Sequence, residues 1–352
     1  MQNKKKIIIA VGGTAGHIHP AQKIATTLIN KDILFVGKGL SSNLFFQKKK
    51  FNFLDIESST INKKNLIFAP FKILKGICKA FKILKQFKPD IIIGFGSYHS
   101  FTILFVAKLK KIKIILFESN LIMGKTNKFF AKNASLILSL FPLDKYKDKI
   151  KLINRWEGPS NGKDKKQNKL TILVFGGSQG ADYINNAFLH ISERLQKIEK
   201  IDFKVIHIIG HGAEKKIDFF KSHYSKLRIN AVVKKYEENM GRLFINSDFV
   251  ICRGGAYTIS ELIYFNKPSI IIPYPYSKND HQIINATFLE NKVEGALISY
   301  QKNGCIDLYK KVCTMIKEEI RKTMIDNLIK YKKALNYNDG FMQINEYIDT
   351  IC

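Results

Sequence analysis

His17 and Glu118 are the side chains whose type and setting best suit taking a proton from a hydroxyl group. His17 ends the run Gly12-Gly13-Thr14-Ala15-Gly16-His17, which follows the apolar segment Ile7–Val11. At a helix N-terminus the dipole would lower an imidazole pKa and keep the ring a neutral base. Glu118 follows the apolar segment Ile114–Phe117, at a strand end where α/β folds often hold functional carboxylates. His99 and Tyr98 are weaker candidates. Each residue also has a plainer role open to it: His17 bonded within its own loop, Glu118 paired with a lysine.

Around these residues lie glycine turns suited to phosphate. Besides the first, Gly94-Phe95-Gly96-Ser97-Tyr98 follows Ile91–Ile93, and Gly176-Gly177-Ser178-Gln179-Gly180 follows Thr171–Phe175. Such a turn leaves backbone N–H groups free at a helix start, where the dipole favours an anion. A fourth segment, Cys252-Arg253-Gly254-Gly255-Ala256-Tyr257-Thr258-Ile259-Ser260-Glu261, has the same form. A diphosphate could rest on its N–H groups without a metal, and Glu261 could accept from a ribose diol. Thr258 and Glu261 also have the spacing of a helix cap and its capping-box partner. Gln282 and Asn285 lie three apart on a later helix face, suited to sugar hydroxyls.

The elements that must position these groups alternate. Strands are expected near 6–11, 33–36, 90–94 and 113–117, with helices near 19–30, 99–110 and 124–132. A second series places strands near 170–175, 203–209, 229–233, 248–251 and 269–272, followed by helix over 306–334 and a short terminal helix. This alternation predicts two α/β units with parallel sheets, each Rossmann-like and facing a cleft, with glycine turns at strand C-terminal ends and the ligand expected in the crevice between the units. The polar stretch Arg155–Lys169 reads as the linker. The expected domains are 1–157 and 168–335, with a helical tail over 336–352.

Composition excludes more than it assigns. The net charge of +29 invites nucleic acid or an anionic membrane surface, but only six of 58 basic residues are arginine. Lysine spread along a whole chain fits compositional drift better than a nucleic-acid reader, so no nucleic-acid partner is expected. Five scattered cysteines show no zinc or redox spacing, so neither a metal nor a cofactor is expected. The basic N-terminus leads into an apolar run that stops at Gly12, which reads as a first strand and not a signal peptide. No apolar run approaches the length of a membrane span.

The segments GGTAGHIHPA at 12–21, GFGSY at 94–98, ESN at 118–120, GKTNK at 124–128, GGSQGA at 176–181, CRGGAYTISE at 252–261 and HQIINA at 281–286 together resemble the MurG family of UDP-N-acetylglucosamine transferases. The resemblance runs from near Ile7 to about Ala296. It implies a GT-B fold and inverting, metal-independent transfer of GlcNAc from UDP-GlcNAc to the 4-hydroxyl of MurNAc in lipid I, giving lipid II for peptidoglycan. On the matching positions, Ser178 would meet a phosphate and Ala256, Tyr257, Thr258, Ile259, Ser260 and Glu261 would cradle diphosphate and ribose. Glu237 falls where the family's backbone grips uracil, and Gln282 with Asn285 would read the sugar. Thr14, Ala15, Gly16 and Asn120 would complete the donor site, while Gly94, Gly96, Tyr98 and Asn127 would face the acceptor. The chain departs from the family at Ala15, at Ser97, in the strand end Phe117-Glu118-Ser119-Asn120, and in lacking the family's arginine segment before the linker.

The stretch Ile67–Lys85 is basic and amphipathic. Its pattern fits both a membrane-surface helix and a core helix with a solvated lysine face. The resemblance implies an apolar patch there, on Ile67, Phe71, Leu74 and Ile77, and a peripheral position on the cytoplasmic face of the bacterial inner membrane. Three other functions compete. A related glycolipid glycosyltransferase with a diacylglycerol acceptor is disfavoured by the ESN and GKTNK segments. A dinucleotide oxidoreductase is disfavoured because the first turn is not GxGxxG and the second strand ends in Gly37-Lys38, with no acidic ribose ligand. An inactive UDP-sugar-binding relic is weighed against by Ser178, Glu261 and Gln282.

Overall fold

The computed structural model describes residues 4–60, 67–153, 169–335 and 343–351. The expected linker, save Lys169, lies outside them. The chain forms two compact units, residues 1–154 with 338–352, and residues 155–337. The tail expected as a separate piece over 336–352 is thus assigned mainly to the first unit.

In the first unit, β1 (Lys6–Ala10), β2 (Asp32–Gly37), β3 (Phe53–Asp55), β4 (Ile91–Gly94), β5 (Lys113–Glu118), β6 (Leu136–Ser139) and β7 (Ile150–Leu152) form one parallel sheet in the order β3-β2-β1-β4-β5-β6-β7. Ile7, Ile8 and Ile9 of β1 and Ile91, Ile92 and Ile93 of β4 are fully buried. Such continuous apolar runs are what a parallel sheet covered on both faces requires. The helices are α1 (Ala15–Thr27), α2 (Phe68–Phe87), α3 (Phe101–Leu109) and α4 (Lys125–Phe130). Helix α1 starts at Ala15, ahead of the expected residue 19. Pro20 stands just beyond the first turn, and the helix continues at the cost of one backbone hydrogen bond.

The second unit has β8 (Leu170–Phe175), β9 (Phe203–Ile208), β10 (Asn230–Lys234), β11 (Phe249–Cys252), β12 (Ser269–Ile271) and β13 (Ala296–Ile298) in the parallel order β10-β9-β8-β11-β12-β13. Its helices are α5 (Asp182–Lys197), α6 (Ile217–Lys226), α7 (Met240–Ile245), α8 (Ala256–Tyr264), α9 (His281–Thr287), α10 (Gly304–Ile316) and α11 (Glu318–Ala334). The terminal helix α12 (Gln343–Ile351) packs on the first unit. Its Ile344 and Ile348 are fully buried, and Asp349 pairs with Lys5 at 2.9 Å and Lys31 at 2.6 Å.

Both sheets reverse direction of growth at one place. In the first unit β1 pairs with β4, Ala10 opposite Gly94, so the turns after those strands are neighbours. In the second, β8 pairs with β11, which brings the 176–180 turn beside the Gly254-Gly255 turn. Ligands of open α/β sheets bind at such switch points. The four glycine turns therefore form two pairs, one in each unit.

Candidate active site

The first unit's pair of turns is held together by His99. A Cβ on Gly12 would come within 2.7 Å of the His99 Cβ and 2.9 Å of the Lys38 carbonyl, so only glycine lets the loops approach this closely. The His99 ring lies against Gly13, and its Nδ1 is 2.8 Å from Ser97 Oγ. Ser97 holds φ 62°, ψ 158°, a conformation almost confined to glycine. The Tyr98 ring lies 3.9 Å from that of His99, with the Lys38 ammonium over its face at 5.3 Å. Burial, then the charges of His17 and Lys38, lowers the His99 pKa to about 4. The ring is neutral at neutral pH.

His17 is partly exposed near the N-terminus of α1. Its backbone N–H donates to the Thr14 carbonyl at 3.0 Å, and its Nδ1 lies 3.4 Å from Thr14 Oγ1. Thr14 and Gly16 are exposed beside it, while the Ala15 side chain is buried. Glu118 has the opposite setting. It is 3% exposed, and its two carboxylate oxygens accept from four donors: Asn120 N at 3.0 Å, Asn120 Nδ2 at 3.3 Å, Gly124 N at 2.9 Å and Asn127 Nδ2 at 2.9 Å. Burial pushes its pKa above the ordinary carboxylate value, against the downward pull of those donors. This carboxylate ties the 119–124 loop to α4. Asn127 is equally buried, donating also to the Phe117 carbonyl at 2.8 Å. Gly94 is a core position, where a Cβ would strike Leu104 at 2.7 Å. Of the expected acceptor-side residues, Tyr98 is partly exposed, and Gly96 lies against the Asn127 amide.

In the second unit, Gly180 has φ +84°, and a Cβ there would fall 2.3 Å from the Ile209 carbonyl. Ser178 accepts at its carbonyl from His211 N at 3.3 Å, and the residue is partly exposed at the turn. Beneath this turn runs a buried polar chain that sequence reasoning missed. Asn185 Nδ2 donates to the Ile209 carbonyl at 2.9 Å, His207 Nε2 lies 3.1 Å from Asn185 Oδ1, and His207 Nδ1 lies 2.9 Å from the Tyr224 hydroxyl. A lone histidine in an apolar strand carries no local sign of this role.

The N-cap of α8 is Gly255 and no side chain caps it, so Thr258 sits inside the helix and not at a capping box. Ala256, Ile259 and Ser260 have buried side chains, and the Ile259 N–H donates to the Gly255 carbonyl at 2.9 Å. Tyr257, Thr258 and Glu261 are partly exposed. Helix α9 braces the turn from behind. A Cβ on Gly254 would lie 2.4 Å from the Gln282 carbonyl, and Asn285 Nδ2 donates to the Gly254 carbonyl at 3.1 Å. Asn285 is 1% exposed. Gln282 is partly exposed, and its Oε1 accepts from Tyr274 N at 2.9 Å. The Glu237 carboxylate is held by Lys234 at 2.6 Å, which lowers its pKa, and by Asn239 N at 3.0 Å. Arg253, another residue without an expected role, donates to the Ile272 and Pro273 carbonyls and lies over Tyr274. Among the described residues no group of His, Cys, Asp and Glu is placed to hold a metal ion.

Two parallel, doubly wound units with glycine turns at both switch points define a two-domain glycosyltransferase of the GT-B class. The fold matches the crystal structure of Acinetobacter baumannii MurG with a TM-score of 0.78 at 23% identity, covering 98% of this chain and 99% of that one. It also matches a kitacinnamycin glycosyltransferase at 0.74 and 12% identity. The models of the glycosyltransferase family 28 N-terminal and C-terminal domains match residues 7–139 and 171–336. A Protochlamydia amoebophila protein named UDP-N-acetylglucosamine–N-acetylmuramyl-(pentapeptide) pyrophosphoryl-undecaprenol N-acetylglucosamine transferase is 36% identical over 83% of this chain and 82% of its own. A Prochlorococcus marinus protein of that name is 31% identical over 99% and 98%. The chain belongs to glycosyltransferase family 28, within the MurG family.

Proposed function

We propose that the protein transfers GlcNAc from UDP-GlcNAc to the 4-hydroxyl of MurNAc in lipid I, with inversion, making lipid II. The observation that carries this reading is the near end-to-end likeness to relatives named for that reaction. The 176–180 turn, through Ser178, and the start of α8, which no side chain caps, are suited to the donor diphosphate, because a glycine turn at a helix N-terminus favours an anion. Thr258 and Glu261 serve the diphosphate and ribose, the backbone at Glu237 the uracil, and Gln282 the sugar. Asn285 acts through the Gly254 turn. His17 takes the acceptor proton, since it is the partly exposed imidazole beside the first turn, whereas Glu118 has its oxygens filled. Glu118 and Asn127 position the loop on the acceptor side, with Tyr98 and Gly96, while Asn120 serves the donor with Thr14, Ala15 and Gly16.

No helix among the described residues is long and apolar enough to cross a membrane. In this reading the N-terminal end of α2 docks the protein peripherally on the cytoplasmic face of the inner membrane. Ile67, Phe71 and Leu74 are 74%, 70% and 59% exposed, an unusual grouping of large apolar side chains. Ile77 leaves this patch, because it packs against the core, and Phe68, 66% exposed, joins it. The deciding assay is UDP release from UDP-GlcNAc with and without a short-chain lipid I analogue, in a metal chelator. Acceptor-dependent release is expected. UDP-sugar binding without turnover would make the chain a relic, and failure to bind UDP-GlcNAc would overturn the reading.

A further inference from the structure

Two consecutive residues of the second turn, Gly96 at φ +72° and Ser97 at φ 62°, lie in the left-handed half of the backbone map. Glycine holds such a conformation at little cost, but Ser97, with ψ 158°, stands where residues with a Cβ are rarely found. A strained residue of this kind persists only where its surroundings over-determine it. Here they do so through hydroxyl groups. Ser100 Oγ donates to the Gly96 carbonyl at 2.6 Å, Ser58 Oγ donates to the Tyr98 carbonyl at 2.5 Å, and Ser97 Oγ lies 2.8 Å from His99 Nδ1.

The third of these bonds differs from the others, because it holds a side chain and not the backbone of the turn. It sets His99 across the first turn. A Cβ on Gly12 would meet the His99 Cβ at 2.7 Å, and a Cβ on Gly13 would meet its ring at 3.0 Å. The Tyr98 ring lies against the imidazole at 3.9 Å, and Asn43 Nδ2 donates to the Gly13 carbonyl at 2.7 Å. The first turn is thus gripped by side chains from two other segments. Four residues beyond Gly13, the His17 N–H donates back into that turn, to the Thr14 carbonyl at 3.0 Å. The two imidazoles, His17 and His99, are close enough to interact electrostatically.

We propose that His99, oriented by Ser97, is a positioning residue for His17: its ring wedges the first turn into the place from which His17 takes the acceptor proton. This rests on the reading of His17 as the base and adds the device that holds it. His99 acts through His17 and not on the substrate. The chain's departure from the family pattern at Ser97 is part of the device, since the hydroxyl that orients His99 also offsets the strain that a residue other than glycine brings to the turn.

The test is a double-mutant cycle on the full chain, read as kcat with UDP-GlcNAc and a soluble short-chain lipid I analogue, and as UDP affinity by calorimetry. His99→Ala should lower kcat about 10- to 100-fold, as a shift of a catalytic group by about 1 Å does, and leave UDP affinity within about twofold. In a His17→Ala background the same change should cost less than about threefold, since a residue that acts through His17 has nothing left to position. An unchanged kcat in His99→Ala, or equal losses in the two backgrounds, would overturn the proposal and leave His17 as the base. Near wild-type turnover by His17→Ala alone would sink the base reading, and the proposal with it. Ser97→Ala keeps the strained backbone without the hydroxyl and should lower kcat about tenfold, whereas Ser97→Gly relieves the strain and should recover most of that loss. Equal losses in the two Ser97 variants would mean that the hydroxyl acts elsewhere, which also overturns the proposal. Should His99→Ala not fold, the two Ser97 variants in both His17 backgrounds give the same decision.

Discussion

Acid should weaken the second unit through His207 in particular. The ring is fully buried among Phe188, Phe220 and Tyr224, with no water-facing edge. Asn185 spends its amide N–H on the Ile209 carbonyl, so its Oδ1 must accept, and His207 Nε2 must carry the proton. Nδ1 then accepts from the Tyr224 hydroxyl. A second proton on this ring would place a charge in an apolar core, and burial pushes the pKa from 6.5 down to about 3. The folded pKa lies below the unfolded one, so stability is complete above pH 6.5 and is lost as pH falls towards 3. Between about pH 7 and pH 5 the loss is about 2 kcal/mol. That figure is set by the unfolded value alone, provided the folded ring stays neutral at the lower pH. Urea unfolding of wild type and His207→Gln at the two pH values isolates it, because the other titrating groups cancel in the difference. Hydrogen exchange of peptides from β8 and β9 assigns the transition to the second unit. Wild type should lose about 2 kcal/mol more than the variant on acidification. A pH-independent difference would refute the reasoning. Should the variant not fold, ring 15N chemical shifts of wild type at about pH 5 decide the same point, since a charged imidazolium there is incompatible with it.

Three further outcomes follow from the site. Glu118→Gln turns an amide donor towards two of the four N–H groups now bound to the carboxylate, and should cost the first unit about 2–4 kcal/mol in thermal or urea unfolding. Full stability with turnover reduced more than about a hundredfold would instead restore Glu118 as a base. His17→Ala should lower turnover by about 10²–10⁴ while leaving UDP-GlcNAc affinity within about twofold by calorimetry, and near wild-type turnover would remove His17 from the chemistry. Gly180→Ala combines a positive φ with a 2.3 Å approach to the Ile209 carbonyl, so it should cost about 3 kcal/mol or more and abolish UDP binding; a stable variant with normal UDP affinity would contradict the described turn.

What could be read in the sequence, and what could not, divides along physical lines. Runs such as Ile7–Val11, Ile91–Ile93 and Ile172–Phe175 are apolar throughout because both faces of a parallel sheet are covered, so their strands were legible. Phe53–Asp55, Ile150–Leu152 and Ala296–Ile298 are three residues each, too short for any periodicity, and become strands only beside a formed neighbour. The turns were legible because a close backbone approach demands glycine.

The direction of a polar side chain was not legible. Thr258 and Glu261 have capping spacing yet do not cap, because Gly255 starts the helix two residues ahead of Tyr257. Asn285 shares a helix face with Gln282 yet turns inward to the Gly254 carbonyl. Glu118 ends its strand as expected, and its partners at 120, 124 and 127, invisible to strand periodicity, make it also the clasp of a loop. Spacing fixes which residues can share a face; only the burial of a second element fixes which of them remains open to a substrate. At both switch points the conspicuous polar residues therefore divide into two kinds. Asn285, Asn127, Glu118 and the His207 chain hold the glycine turns in shape from behind, while His17, Ser178 and Gln282 keep exposed surface at the turns. Substitutions of the first kind should appear as lost stability with lost activity, and those of the second as lost activity alone.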